Sequence, residues 1–428
     1  MAILPPIRGD GTPTDTVPVQ EGIPKIHPGG QGEFMAKIEP AEELMELNMG
    51  PQHPATHGVL RLVLSLDGER VRACRPDIGY LHTGFEKSFE SHTYQQCIPL
   101  TDRMDYLAPP INNLGFALAV EKLMGIEIPP RGQYIRVIVA ELSRIASHLI
   151  WLGTHALDLG ATTAFMYCWR ERDQILDIME WISGVRMMTS FIRVGGLMAD
   201  VPPEFVSMVR AFTAAFPQRV DEYEGLLTAN PIWRQRTIGL GVIDAPTAIG
   251  YGCSGATLRG SGVPYDVRKA QPYSSYDHFQ FDVPVGIRGD VYDRYLVRVR
   301  EMREACRIVD QAIAGLPGGP VNTADRKVML PPRAEIDNSM ESLIHHFKIS
   351  TEGFRPDPGS CYSAVESARG ELGFFIVSDG GNRPYRCKVR GPSFSNLSAL
   401  SCMVKDEMVA DVVAVVGSID IILGDIDR

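Results

Sequence analysis

The order of sequence patterns predicts an α+β fold with a β-rich N-terminal part, a central helical bundle and a mixed C-terminal part. Three observations predict it: residues 59–66 alternate in polarity, apolar residues recur with helical spacing over about 84–231, and strand-like runs return after residue 360. We therefore divide the chain into an N-terminal arm (1–34), a β-rich part (35–83), a helical bundle (84–231) and a mixed α/β C-terminal part (232–428).

The N-terminal quarter contains one clear hairpin. Residues 1–34 are rich in proline, glycine and threonine and have no apolar period, so we expect a flexible arm. The alternating strand over 59–66 is followed by Asp67-Gly68, a two-residue turn signal, and a return strand over 71–74. The segment before this hairpin, 48–58, contains prolines and glycines that break a helix, and we expect a loop there.

The rest of the chain is mainly helical by its apolar spacing. The predicted long helices cover 107–124, 133–153, 154–184, 203–229 and 291–316. Residues 232–290 are glycine-rich and aromatic, and we expect them to be irregular. A short helix over 340–347, a strand over 372–377 and a small apolar helix over 408–416 complete the prediction.

Composition excludes several classes of function. The formal net charge of −10 argues against binding to nucleic acid or to a bare anionic membrane, since both need a basic surface. The start of the chain lacks a signal-peptide pattern, and no run of about 18 uncharged apolar residues occurs. We expect a cytoplasmic chain that reaches a membrane only through partners.

The eight cysteines predict neither disulfides nor a metal site. None of them forms a C-x-x-C pair, so the spacing fits neither a disulfide framework nor a zinc or iron–sulfur site. We expect buried free thiols and no metal in this chain.

Two short constellations could carry chemistry. His53 and His57 lie four residues apart in the 48–58 loop, where an ordinary loop pair is the favoured interpretation and a proton-handling site the alternative. In the segment 101–106, which we expect to open a helix, local sequence favours a structural cap. The functional alternative makes Tyr106 a phenol donor and Arg103 a fixed positive charge.

A third constellation is a polar stripe within a predicted helix. If the helix continues through Gly153, an arc of about 100° contains Glu141, Arg144, His148, His155 and Asp158. The stripe has no lysine and mixes both charge signs with histidine. An internal stripe whose groups satisfy one another is therefore at least as well supported as a solvent-exposed face.

Six segments in this order resemble the quinone-site subunits of bacterial complex I, the proton-pumping NADH:quinone oxidoreductase. They are NMGPQHPATHG (48–58), YLHTGFEK (80–87), RMDY (103–106), HALDLG (155–160), RGSG (259–262) and SMESLIHHFK (339–348). The resemblance runs from about residue 43 to the end of the chain. It implies descent from the large subunit of nickel–iron hydrogenases, with the fold kept and the cysteine-bound metals lost.

The resemblance also implies where quinone binds. The vacated metal site becomes a quinone pocket, closed by the 232–428 part and shared with a small partner subunit that carries a terminal [4Fe–4S] cluster. By resemblance, His57 and Tyr106 hydrogen-bond the quinone headgroup, and Asp158 pairs with this histidine and links quinone reduction to proton movement. His53 and Thr154 would line the same cavity.

Further partners and positions follow from the same resemblance. Arg103 matches an arginine beside the partner's cluster. Thr83 stands where the mitochondrial relatives have an arginine close to the cluster, and Met188 where many members have a histidine that contacts it. An adjacent peripheral-arm subunit and a membrane subunit at the quinone entrance are expected partners, and other subunits supply FMN and iron–sulfur clusters. The assembly would lie on the cytoplasmic side of the cell inner membrane.

Three alternatives stay open to different degrees. An active nickel–iron hydrogenase subunit is disfavoured by the cysteine spacing. Composition does not exclude a scaffold without a chemical role. The same module could also serve a relative with a different electron donor, and the sequence does not distinguish ubiquinone from menaquinone.

Overall fold

A three-stranded antiparallel sheet begins the part of the chain that the computed structural model describes, which is residues 44–54 and 58–428. Its strands are β1 (Met45–Met49), β2 (Arg61–Asp67) and β3 (Arg70–Asp77), in the order β1-β2-β3. Asp67 pairs with Arg70 around a turn in which Gly68 has φ 59°, a conformation that favours glycine. The predicted hairpin is confirmed, whereas the loop predicted from residue 48 is wrong for its first two residues, which end β1.

The predicted arm, residues 1–34, lies outside the described residues, as do residues 35–43 of the β-rich part.

Six long or medium helices follow the first sheet. They are α1 (Phe85–Ser91), α2 (Tyr94–Met104), α3 (Pro109–Met124), α4 (Pro130–Asp158), α5 (Thr162–Ser183) and α6 (Phe205–Leu227). Two-residue strands, β4 (Ile192–Arg193) and β5 (Gly196–Leu197), pair between α5 and α6.

The helix break predicted after Gly153 is wrong, because α4 continues to Asp158. A Cβ atom at Gly153 would lie 3.4 Å from the Cα atom of Phe165 and 3.4 Å from the Cβ atom of Cys168. A Cβ atom there would be at the limit of ordinary contact, so α5 packs close to α4 at this glycine, and the glycine does not end the helix.

The C-terminal part combines one long helix and several shorter ones with a three-stranded antiparallel sheet, which we call the second sheet. Its first helices are α7 (Pro231–Gln235), α8 (Ala245–Gly250), α9 (Gly255–Gly260), α10 (Val267–Ala270), α11 (Val291–Ala314), α12 (Arg333–Ile336) and α13 (Met340–Thr351). The sheet consists of β6 (Gly359–Ser367), β7 (Gly370–Ser378) and β8 (Arg386–Arg390). The chain continues with α14 (Pro392–Ser398), α15 (Leu400–Met403), α16 (Val409–Ile419) and α17 (Leu423–Asp427). The described residues thus form the α+β fold that the sequence predicts.

Two apolar clusters hold these elements together. One joins α2 to α6, α11 and the second sheet, with fully buried residues such as Phe116, Ile138 and Phe374. The other joins the first sheet to α16 and α17, with Leu64, Val415 and Leu423 at its centre. The clusters place the C-terminal helices against the N-terminal sheet, which positions the site described below.

Seven of the eight cysteines are buried and all eight are free, while Cys402 is exposed, contrary to the expectation for that thiol. Burial raises the pKa of the Cys74 and Cys97 thiols to about 12. Among the described residues, no cluster of three or more histidine, cysteine or acidic side chains is arranged to bind a metal ion. No helix in that part of the chain combines the length and apolarity needed to cross a membrane.

Candidate functional site

The 48–58 segment and the 101–106 segment both contact the short C-terminal helix α17. A Cβ atom added at Gly58 would lie 2.6 Å from the Cδ1 atom of Leu423. A Cβ atom at Gly424 would lie 2.6 Å from the carbonyl oxygen of Met104 and 3.0 Å from that of Arg103. Two segments that are separated by about fifty residues in sequence therefore meet at adjacent residues of one short helix.

The histidine loop is only partly described. His53 is exposed and forms an isolated antiparallel bridge with Gly58. His57 lies with residues 55 and 56 outside the described residues, so its predicted contact with a ligand stays a prediction. Gly58 lies beside Leu423 of α17, and the chain then enters β2 at Arg61.

The 101–106 segment closes a helix and does not open one, so that prediction is wrong. Helix α2 begins after Thr93, whose hydroxyl accepts a hydrogen bond from the Gln96 amide while the Gln96 side chain caps the Thr93 amide. The helix ends at Met104, and Asp105 is its C-cap residue. The segment therefore forms the end of one helix and the turn that leads into α3.

The polar side chains at the end of α2 and in the turn that follows have distinct hydrogen-bond partners. Asp102 is buried and accepts hydrogen bonds from the Ser190 amide at 3.1 Å and hydroxyl at 2.5 Å. Arg103 is exposed and donates to the Pro99 carbonyl at 2.7 Å. The Oδ1 atom of Asp105 accepts from the Leu107 and Ala108 amides at 3.2 and 3.3 Å, which closes the turn around Tyr106.

Tyr106 is half-buried and faces a cleft between α3, α4 and α5. Burial raises the pKa of its phenol, and the nearby Arg369 guanidinium opposes that rise. The cleft has a free volume of only about 20 Å³, and its walls include Ser143, Arg172, Met179 and Met187. Since a cavity that accepts a benzene ring measures about 150 Å³, the described residues do not enclose a pocket large enough for a ring beside Tyr106.

The C-terminal end of α4 carries three further predicted residues. Thr154 and Asp158 are half-buried and lie four residues apart, on the same helix face. His155 is buried between the Trp151 ring, stacked at 5.6 Å, and the Trp233 ring at 5.3 Å. Leu159, the next residue after α4, packs against the same apolar cluster as Leu423, so the end of α4 shares a core with α17.

Four of the five residues of the α4 polar stripe are internal, which is one of the two interpretations that the sequence left open. Glu141, Arg144, His148 and His155 are all buried. Glu141 accepts from Arg268 at 3.1 Å, and the His148 Nε2 atom lies 3.0 Å from a carboxylate oxygen of Glu301.

Charges in this stripe balance one another. Burial lowers the pKa of the His148 imidazole. Burial alone would raise the pKa of Glu301, but the Arg259 guanidinium, 2.8 Å away, reverses this and lowers it. The network joins α4, α9 and α11, and its guanidinium groups stabilise the buried Glu141 and Glu301 carboxylates.

Two buried ionisable groups, one beside Tyr106 and one on α17, were not predicted from the sequence. Arg369 forms ion pairs with Asp105 at 2.8 Å and with Asp420 at 3.3 Å. Asp425, on α17, accepts from the Ser393 amide at 2.8 Å, and burial raises the pKa of its carboxyl to about 6. The only sequence signal for the acidic pair was the presence of Asp420 and Asp425 in an otherwise apolar C-terminal run.

Thr83 and Met188, the two positions expected to depart from the family pattern, both lie in coil segments. Thr83 is exposed in the coil before α1, and Met188 is half-buried in the coil after α5. Met188 is two residues from Ser190, whose hydroxyl binds Asp102 on α2. Met188 is therefore fixed near the helix end that presents Arg103.

Comparison with known proteins gives consistent matches. The family described as respiratory-chain NADH dehydrogenase, 49 Kd subunit, matches residues 158–428. A D-type NADH-quinone oxidoreductase subunit of Chloroflexus aurantiacus is 59% identical over 398 residues, which cover 91% of this chain and 97% of that protein. The corresponding subunit of Citrifermentans bemidjiense is 56% identical over 91% of this chain and 100% of its own length. One from Roseiflexus castenholzii is 57% identical over 91% of this chain and 94% of its own length.

Proposed function

Since this chain belongs to the 49 kDa subunit family of the respiratory NADH:quinone oxidoreductases, we propose that it forms one wall of the site where quinone is reduced to quinol. The observation that carries the proposal is the meeting of the 53–58 loop and the Tyr106 turn on helix α17. His57 and Tyr106, which the sequence resemblance assigns to the quinone, thus belong to two segments that both contact α17.

The chemistry of a quinone suits a donor at each end of the site. A quinone has two carbonyl oxygens at opposite ends of its ring, and reduction to quinol takes up two electrons and two protons. In the proposal, Tyr106 donates a hydrogen bond to one oxygen and His57 to the other, so that both stabilise developing negative charge. The raised pKa of the Tyr106 phenol keeps it protonated, as a hydrogen-bond donor must be.

The remaining site residues have supporting roles in the proposal. Asp158 pairs with His57 and links quinone reduction to proton movement, which the complex couples to proton pumping. His53 and Thr154 line the cavity from the loop and from the end of α4. Because the cleft at Tyr106 holds only about 20 Å³, the small partner subunit would supply the facing wall.

Electrons come from outside this chain. We place the partner's terminal [4Fe–4S] cluster near the exposed Arg103, whose positive charge would raise the reduction potential of the cluster. Other subunits supply FMN and the preceding clusters, and this chain holds no metal of its own. The proposal includes a hydrogenase-like fold that has lost its metals. It also includes two further partners, an adjacent peripheral-arm subunit and a membrane subunit at the quinone entrance. The assembly would lie on the cytoplasmic face of the inner membrane.

The test is Tyr106→Phe in the assembled complex. The variant should lower NADH:quinone reductase turnover by roughly 10²-fold, because one donor to developing charge is lost. NADH oxidation by ferricyanide, which bypasses the quinone site, should be unchanged. Tyr134→Phe is the matched control. Tyr134 lies near the start of α4, about 30 Å along the helix from Thr154. Its hydroxyl is 3.2 Å from the Nδ1 atom of His278.

The same test separates the proposal from a purely structural role. If Tyr106→Phe and Tyr134→Phe both keep normal quinone turnover, Tyr106 has no part in the reaction and the scaffold interpretation is favoured. Loss of both activities in Tyr106→Phe would mean that assembly, and not quinone chemistry, depends on this side chain.

A further inference from the structure

Arg369 occupies an unusual place for a charged residue, the tip of a hairpin that is inserted into the core. Ser367 of β6 pairs with Gly370 of β7, so Ala368 and Arg369 form the two-residue turn. Turn residues normally lie on the surface, but Arg369 is only 1% exposed. A Cβ atom at Gly255 would lie 2.3 Å from the Arg369 carbonyl oxygen, which shows how closely α9 covers the hairpin tip.

The guanidinium of Arg369 binds two separate parts of the site. Its Nη1 atom donates to the Oδ2 atom of Asp105 at 2.8 Å. Its Nε atom donates to the Asp420 carbonyl oxygen at 3.1 Å, and its Nη2 atom lies 3.3 Å from the Oδ1 atom of Asp420. Burying an arginine costs several kcal/mol unless it is paired and hydrogen-bonded, so these contacts keep the charge at this point in the interior.

The contact with Asp105 reaches Tyr106 directly. One oxygen of the Asp105 carboxylate binds Arg369, and the other accepts from the Leu107 and Ala108 amides. Tyr106 lies between these two anchored points, so the position of its ring depends on where Arg369 holds the carboxylate. Asp420, the second partner, is the C-cap of α16 and precedes the segment that forms α17.

We propose that Arg369 is a positioning residue for quinone reduction: it fixes the turn that carries Tyr106 relative to the C-terminal segment, and its charge lies beside the phenol that meets the headgroup. This inference rests on the proposed function, because it needs Tyr106 to contact quinone. It adds a residue from a third segment, 264 positions away from Asp105 in sequence.

Both geometry and charge contribute to this role. Burial raises the pKa of Asp105, and the Arg369 guanidinium opposes that rise. Without a cation, the Asp105 and Asp420 carboxylates would face each other in the interior, and one of them would take up a proton or move away. Lysine would keep a positive charge but not the planar fork that reaches both carboxylates, so Arg369→Lys is a partial replacement.

The experiment is a double-mutant cycle in the assembled complex, with Arg369→Lys and Tyr106→Phe alone and together. Quinone turnover and KM for a short-chain quinone are measured, each normalised to NADH:ferricyanide activity. Because a displacement of about 1 Å can cost up to 10²-fold in rate, we expect Arg369→Lys to lower normalised kcat by roughly tenfold. In the Tyr106→Phe background the same change should cost less than about twofold, since the group that it positions is already gone.

The control variant is Arg136→Lys. Arg136 is 0% exposed and binds Glu121 at 2.6 Å, a buried pair that is not part of the proposed site. It should alter assembly yield at most and leave normalised kcat unchanged.

The outcomes separate the inference from the proposed function. The inference is overturned if Arg369→Lys lowers normalised kcat equally with Tyr106 and with Phe at position 106, or if it lowers kcat in neither case. The Tyr106→Phe variant alone still tests the proposed function. If Tyr106→Phe alone is silent, the proposed function fails, and the inference fails with it. A loss in Arg136→Lys equal to that in Arg369→Lys would show a general effect of buried arginines and would also overturn the inference.

Discussion

Gly424→Ala tests whether α17 positions the Tyr106 turn. The added methyl carbon would lie 2.6 Å from the Met104 carbonyl oxygen, whereas ordinary contact begins at 3.4 Å, so the two must separate by about 0.8 Å. Both neighbours of the new methyl, the carbonyls of Met104 and Arg103, are backbone atoms, and no side-chain rotation can relieve the overlap. The turn or the helix must move.

The expected cost falls mainly on activity. Overpacking usually costs about 1–3 kcal/mol, while alanine gains about 1 kcal/mol over glycine within a helix. The net loss of stability should therefore be small, at about 0–2 kcal/mol. A shift of about 0.8 Å in the turn that carries Tyr106 should still lower quinone turnover by roughly 10- to 100-fold.

The assay is NADH:quinone reductase turnover of the assembled complex, divided by its NADH:ferricyanide activity. Gly225→Ala is the matched control, because Gly225 lies within α6 and nothing comes within 4 Å of the position that its added methyl would occupy. It should leave the ratio unchanged and slightly raise thermal stability. Retention of more than about half of the normal ratio in Gly424→Ala would refute the idea that this contact sets the position of Tyr106.

Two further predictions concern protonation. A thioether cannot exchange a proton, so if the partner's cluster lies near Met188, as proposed, its reduction potential should be nearly independent of pH. Met188→His should steepen the dependence toward about 59 mV per pH unit in EPR-monitored titrations at pH 6 and pH 8. The full slope in the native complex would contradict this prediction. The pKa of Asp425 is raised from 3.8 to about 6, so the folded state favours the protonated carboxyl. The stability that this carboxyl contributes is fully present below pH 3.8 and is lost as the pH rises through about 6. Asp425→Asn should therefore increase the free energy of unfolding at pH 8 by up to about 3 kcal/mol, which is seen as a higher midpoint temperature of thermal inactivation. The increase should be much smaller at pH 4. Equal increases at both pH values would be inconsistent with this explanation.

Local patterns in the sequence predicted most of the fold. The β2–β3 hairpin and helices α3, α6 and α11 follow from apolar spacing and turn residues, which depend on neighbouring positions alone. The break predicted at Gly153 failed because a single glycine inside a helix is tolerated, and α4 continues through it to Asp158. The end of α2 was mistaken for a helix start, although the capping box at Thr93 and Gln96 marks where the helix begins.

The candidate site was less predictable from local sequence. Local patterns favoured structural roles for the histidine loop and for Tyr106, and only the resemblance of several segments assigned them to quinone. Arg369 gave no local signal, because its partners Asp105 and Asp420 are brought to it by the folding of distant segments. For the α4 stripe, the lack of lysine and the mixed charges made an internal position at least as well supported as a solvent-exposed face, and the burial of four of its residues decides for the interior.

We propose that the quinone headgroup binds to this chain beside Tyr106 and the 53–58 loop. Photoaffinity labelling of the assembled complex with a quinone that carries a photoreactive group on its ring tests it most directly, with the labelled peptides mapped by mass spectrometry. We expect label within 103–108 or 53–58, and we expect excess unlabelled quinone to remove it. Label confined to other subunits, or to distant parts of this chain such as α6, would contradict the claim.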